Sequence, residues 1–120
     1  MAVTGIGGVF FRAKDPKALA EWYEKNLGVF GMNAQYEPWT QQAGPTVFMP
    51  FAADTDYFGS DSQGFMINFR VEDLDGMLAQ LKAAEVTIVK QAEEQVGVGR
   101  FASIEDPEGN RIELWEPQDE

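Results

Sequence analysis

Near the C-terminal end of the chain, the stretch DPEGNRIELWEP (106–117) places one acid, Glu113, on an alternating apolar segment where a strand is expected. A carboxylate on a strand is a frequent component of metal and acid–base chemistry, and the chemistry open to it depends on its partners. The chain has no histidine and no cysteine. Disulfides, thiolate catalysis and cysteine-ligated zinc are therefore excluded. Three roles are open to Glu113: general base with a burial-adjusted pKa, partner of Arg70 or Arg12, or hydrogen-bonding anchor for a ligand. A buried carboxylate near arginines is usually paired, so pairing is the first expectation and ligand contact the second.

Other chemistry-bearing stretches are weaker. DTDYFGSDSQGF (54–65) has Asp54, Asp56 and Gly59 at calcium-loop spacing. Its fifth position is Phe58 and its twelfth is Phe65, where a bidentate glutamate is required, so a surface loop is the better reading. Tyr57 and Phe58 within it are candidates for a lid over a cleft. QVGVGRF (95–101) has two glycines but no lysine and no strand-to-helix order, which makes it a poor phosphate loop. Its Arg100 suits either an anionic ligand group or a structural ion pair.

The 120 residues carry 9 Lys and Arg against 20 Asp and Glu, a formal charge of −11. Nucleic acid and anionic membrane surfaces both demand a basic face and are not expected partners. MAVTGIGGVFF at the start is apolar but lacks a basic region and a cleavage site. No apolar run reaches the roughly 20 residues of a spanning helix. A cytoplasmic location is the expectation.

The elements that must position these residues are legible from pattern. VFFRAKDPKALAEWY (9–23) and INFRVEDLDGMLAQL (67–81) align without gaps at an offset of 58, pairing Phe11 with Phe69, Arg12 with Arg70 and Asp15 with Asp73. Each reads as strand, Asp cap, helix, which indicates an internal duplication. Asp15 followed by Pro16 predicts a helix start, Leu19, Trp22, Tyr23 and Leu27 its apolar face, and Gly28 its end. Asp73 predicts the second start, with Leu74, Met77, Leu78 and Leu81 as the buried stripe. Strands are predicted at GIGGVFFRA (5–13), TVFMPF (46–51), GFMINFRV (64–71), TIVKQ (87–91), GRFASIE (99–105) and NRIELWE (110–116), with a weaker extended segment at NAQYEPW (33–39). Asp106, Pro107 and Gly109 form a turn that makes the last two strands an antiparallel hairpin.

Alternation separates two faces. Phe65, Ile67, Phe69 and Val71 point toward a helix, and Met66, Asn68 and Arg70 point away. Gly7, Val9, Phe11 and Ala13 repeat the first set, and Gly8, Phe10 and Arg12 the second. Ile112 and Leu114 face the core, opposite Arg111, Glu113 and Trp115. A mixed polar and aromatic face away from the helices predicts a ligand cleft. Its expected lining is Phe10, Arg12, Trp39, Phe48, Met66, Asn68, Arg70, Glu113 and Trp115. Burial of the same face in a dimer competes with this reading.

FFRAKDPKALAEWYEKNLGV, NFRVEDLDGMLAQLKAAEV and above all GRFASIEDPEGNRIELWEP resemble the vicinal oxygen chelate superfamily, which includes glyoxalase I, bleomycin-resistance proteins and extradiol dioxygenases. The resemblance spans nearly the whole chain. It implies an α+β fold of two βαβββ modules, about 1–58 and 59–120, whose curled mixed sheet forms a cleft in a single domain, commonly within a homodimer. In metal-dependent members the ligands come from the first and last strands of each module. Here those positions fall on Gly8, Met66, Phe48 or Met49, and Glu113. Only Glu113 can serve, since glycine has no donor and a thioether is soft. The resemblance is therefore to the metal-free members, and no cofactor is expected. It implies a small-molecule binding protein for aromatic or amphipathic ligands. The alternative is a glyoxalase-related lyase or isomerase with Glu113 as catalytic base, and whether the chain is an enzyme is left open.

Overall fold

The computed structural model describes residues 1–29, 31 and 37–118. Helix α1 (Pro16–Leu27) begins where its cap predicts: the Asp15 carboxylate accepts from the Ala18 amide at 3.1 Å, and Pro16 fills the first turn. Gly28, at φ 69°, ends it in the left-handed region. Helix α2 (Leu74–Ala83) begins in the same way, with Asp73 accepting from the Gly76 amide at 3.0 Å. The aligned aspartates of the internal repeat are thus both N-caps, each satisfying an amide that has no partner inside the helix.

Four strands follow the first helix: β1 (Ile67–Arg70), β2 (Ile88–Gln95), β3 (Gly99–Glu105) and β4 (Arg111–Pro117). They form one mixed sheet in the order β1-β4-β3-β2. β1 runs parallel to β4, while β4–β3 and β3–β2 are antiparallel. The final hairpin is as expected, with the DPEGN turn closed by hydrogen bonds from Gly109 to Asp106 and from Asp106 to Asn110. Gly99, at φ 130°, opens β3 so close to β4 that a Cβ would collide with the Glu116 carbonyl.

One face of the sheet carries the core. Ile104, Ala102, Ile112 and Leu114 are buried against Leu74, Leu78 and Leu81 of α2 and against Leu19 and Tyr23 of α1. Ile67, Phe69, Val71 and Met77 pack around them. Completely burying a leucine-sized side chain stabilises by about 2 kcal/mol, so the predicted stripes are what attach both helices to the sheet.

The segments 5–13 and 46–51 differ from expectation. Among the described residues before Ile67 no strand forms. Strand pattern alone does not make a strand, which needs a ladder partner to satisfy its backbone, and among the described residues the sheet ends at β1. Phe10, Val47, Phe48 and Met49 are consequently exposed. The segment NAQYEPW lies partly outside the described residues, and its Glu37, Pro38 and Trp39 form no regular element.

The turn between β3 and β4 joins the two halves. Asp106 is buried, and its carboxylate accepts from the Tyr23 hydroxyl at 2.7 Å, the amides of Glu108 and Asn110 at 2.9 and 3.0 Å, and the Asn110 side chain at 2.8 Å. Glu108 accepts from the amides of Lys14 and Asp15 at the start of α1, at 2.6 and 3.0 Å. Glu116 does the same for the Leu74 amide at the start of α2, at 3.0 Å.

Removing Asp106 strands several buried donors, whereas removing the Tyr23 hydroxyl leaves Asp106 its other donors. Asp106→Ala is expected to cost about 3 kcal/mol or more and Tyr23→Phe about 1–2 kcal/mol, measured by urea unfolding. Burial first, then the hydrogen bond and charge of Asp106, hold the Tyr23 hydroxyl well above the usual phenol range. The folded value exceeds the unfolded one, so this contribution is complete below about pH 10 and is lost as pH rises past it. The urea midpoint is expected to fall above that pH, and to fall less steeply in Tyr23→Phe.

Candidate functional site

The sheet face opposite the core is ordered by the strand registers into two rows. Asn68 stands opposite Glu113, Glu113 opposite Ser103, and Ser103 opposite Lys90. One step along the strands, Arg70 stands opposite Trp115 and Trp115 opposite Phe101. The first row is polar. The second is aromatic, with the Phe101 and Trp115 rings within 3° of parallel and 6.0 Å apart at their centroids. Trp115 is fixed further by its indole N–H, which donates to the Val98 carbonyl at 3.0 Å.

A broad groove runs along this face and around the β1 edge of the sheet, where Ile67, Phe69, Val71 and Met77 from the helix side also border it. Trp39, Phe48, Met66, Asn68, Arg70, Glu113 and Trp115 line it, together with Phe101. Phe10 and Arg12 of the expected lining do not border it. The segment before α1 has no ladder to anchor its alternation. Val9 contributes to the groove instead, Phe11 packs edge-on against Tyr23, and the exposed Phe10 ring folds back over Gly8.

Glu113 is 8% exposed. Its carboxylate accepts from the Asn68 amide at 2.7 Å and from the Tyr57 hydroxyl. The expected arginine pairing is not formed, because the register sets Asn68 rather than Arg70 opposite Glu113. Arg70 donates to the Gln42 carbonyl at 2.9 Å and holds that loop to the groove edge. Arg100, the other candidate cation, forms a bidentate pair with Asp75 at 2.8 and 3.0 Å on the outer surface.

Tyr57 arrives from the loop between α1 and β1. The loop is stitched to β4 by Gln63, whose amide donates to the Arg111 carbonyl and accepts from the Arg111 amide at 3.0 and 2.9 Å. The Tyr57 ring stacks on Phe51 at 5.5 Å, and Phe58 packs on the same Phe51 at 5.3 Å. The Lys90 ammonium lies 5.3 Å from the Tyr57 ring centroid. Burial, followed by the hydrogen bond to Glu113, pushes the Tyr57 pKa up to about 12. At neutral pH Tyr57 is therefore a protonated donor, and Glu113 receives its hydrogen bond. Sequence reading marked Tyr57 only as lid material. Its 56-residue separation from Glu113 leaves no local signal for the contact.

The donor set does not fit a metal centre of the kind the resemblance raises. The Gly8 position is side-chain-free and covered by the Phe10 ring, Met66 offers a thioether, and both Glu113 oxygens already accept hydrogen bonds. Among the described residues no three His, Cys, Asp or Glu side chains gather as a metal site would require. No helix of the described chain is long and apolar enough to cross a membrane.

The fold is shared with solved structures of low sequence identity. An antibiotic binding protein, TnmS3 from Streptomyces sp. CB03234, matches with a TM-score of 0.64 at 22% identity, over 98% of this chain and 99% of that one. A glyoxylase/bleomycin resistance protein/dioxygenase domain from Frankia sp. EAN1pec matches with a TM-score of 0.63 at 15% identity, over 98% and 100%. A lactoylglutathione lyase from Agrobacterium tumefaciens matches at 0.62 and 19%, over 97% and 96%. A search of curated proteins finds no match. The superfamily's sequence model covers residues 5–114, and on that match the chain belongs to the glyoxalase/bleomycin resistance protein/dioxygenase superfamily.

Proposed function

We propose that this chain is a small-molecule binding protein that takes an aromatic or amphipathic ligand into the groove without a catalytic metal, in the manner of the superfamily's bleomycin-resistance members. The observation that carries this reading is the floor of the groove: a stacked Phe101–Trp115 pair beside a polar Asn68–Glu113 pair. Apolar walls with a few fixed polar groups are the usual construction of a ligand site. Planar rings gain on the aromatic row, and a hydroxyl or amine gains on Glu113. Likeness in fold to an antibiotic binding protein is in keeping with this, although fold alone does not assign function.

The same reading makes the working unit a homodimer. Segments 5–13 and 46–51 have strand-like sequences, lack ladders and expose Phe10, Val47, Phe48 and Met49. Monomeric proteins rarely leave such apolar surface uncovered. A second copy supplies both a ladder partner and an apolar cover, closing the open wall of the groove. The excess of acidic residues favours uncharged or cationic ligands over anions, and a cytoplasmic setting is part of the proposal.

A second reading is favoured by one observation, the buried Glu113 carboxylate beside a protonated phenol. That pair suits proton abstraction next to a carbonyl, as in a lyase or isomerase, provided that the Tyr57 phenol vacates the carboxylate.

A native mass spectrum of chelator-treated protein, paired with elemental analysis, tests the first reading. The expected result is a dimer with less than one metal per two chains and retained binding of planar aromatic probes. One tightly held divalent ion per chain, needed for binding, would overturn it. For the second reading, Glu113→Gln is expected to lower kcat on any turned-over substrate by about a hundredfold or more; unchanged turnover would remove the base.

A further inference from the structure

The polar row continues along the ladder past Glu113 to Ser103 and Lys90, which lie beyond the groove lining, and Tyr57 reaches into that half of the row. The Tyr57 hydroxyl is on Glu113 and its ring is beneath the Lys90 ammonium. Ser103 stands between those two residues in the ladder. Ser103 is 6% exposed, and its hydroxyl has no hydrogen-bond partner among the described residues. A buried hydroxyl without a partner is costly, and nothing in the core requires a serine there.

The geometry points to a phenol subsite: Asn68, Glu113, Ser103 and Lys90 receive a hydroxyl-bearing aromatic ring of the ligand, and Tyr57 is the intramolecular occupant that the ligand displaces. This rests on the reading of the groove as an aromatic ligand site and names the chemical class it selects. Each contact has a counterpart in the ligand. Glu113, oriented by Asn68, accepts from the incoming hydroxyl as a charged acceptor. Lys90 lies over the ring face, Phe51 stacks on it, and Ser103 gains a partner in a ring substituent. A ligand carboxylate would meet Glu113 with like charge, and a methyl ether would leave Glu113 with the Asn68 donor alone. Tyr57 sits on a loop and is 37% exposed, so it can swing outward without disturbing the core.

The test uses the full chain and three probes of one shape: 2-naphthol, 2-methoxynaphthalene and 2-naphthoate. Calorimetric titrations are run with the wild type, Tyr57→Phe and Tyr57→Ala, each checked for folding by circular dichroism. In Tyr57→Ala, 2-naphthol is expected to bind about tenfold tighter than in wild type, and about tenfold tighter than its methyl ether or the naphthoate. Tyr57→Phe, which keeps the ring but releases Glu113, is expected to fall between wild type and Tyr57→Ala, and it carries the comparison if Tyr57→Ala does not fold. Equal binding of naphthol and methyl ether by the Tyr57 variants would overturn the phenol subsite while leaving the aromatic groove standing. Equal naphthol affinity in wild type and both variants would overturn the displacement by Tyr57. Binding of none of the probes by any variant would overturn the subsite and the aromatic groove together.

Discussion

The buried carboxylate of Asp106 is the constraint on which the rest of the arrangement depends. It gathers two turn amides, a side-chain amide and a phenol from a helix more than eighty residues earlier in the chain. A carboxylate taken from water needs its oxygens satisfied, and this one is satisfied only if the turn is closed and α1 lies against it. Glu108 and Glu116, at either end of the same hairpin, bond the backbone at the starts of the two helices. The closing hairpin thus sets where both helices begin. It also sets the register that places Glu113 between Asn68 and Ser103 and Trp115 between Arg70 and Phe101.

The chemistry of the groove follows from that register. Helices cover one sheet face with leucine and tyrosine packed on strand isoleucine and leucine, and the other face carries the polar and aromatic rows. The groove floor holds one carboxylate, Glu113. That carboxylate is engaged by an amide and a phenol. The chain as a whole carries a charge of −11 and has no imidazole; on the proposed reading, the site recognises hydrogen-bond donors on an aromatic frame.

What could be read in the sequence was what local chemistry determines. Asp15 and Asp73 announced both helix starts, Gly28 one end, Asp106 and Gly109 the hairpin, and the alternation through 65–71 and 111–115 separated core from groove. The contacts of Glu113 were not legible, because they depend on the parallel register of β1 with β4 and on a loop side chain distant in sequence. Arg70 shares a face with Glu113, but it stands one pair further along the ladder. Phe10 and Arg12 do not line the groove for a related reason: alternation assigns faces only in a strand that has a partner, and the segment before α1 has none among the described residues. The Asp–Asp offset of 58 still located both helix caps, because helix caps are local and strand ladders are not.

The central claim is that the polar and aromatic rows, without metal, form the ligand floor. Its most direct test is a two-dimensional 1H–15N NMR titration of the chelator-treated protein with a planar hydroxyl-bearing aromatic compound. Saturable shifts concentrated at the Trp115 indole N–H and the Asn68 side-chain amide are the predicted result. Absence of shifts at both groups, or their appearance only after a divalent metal is added, would contradict it.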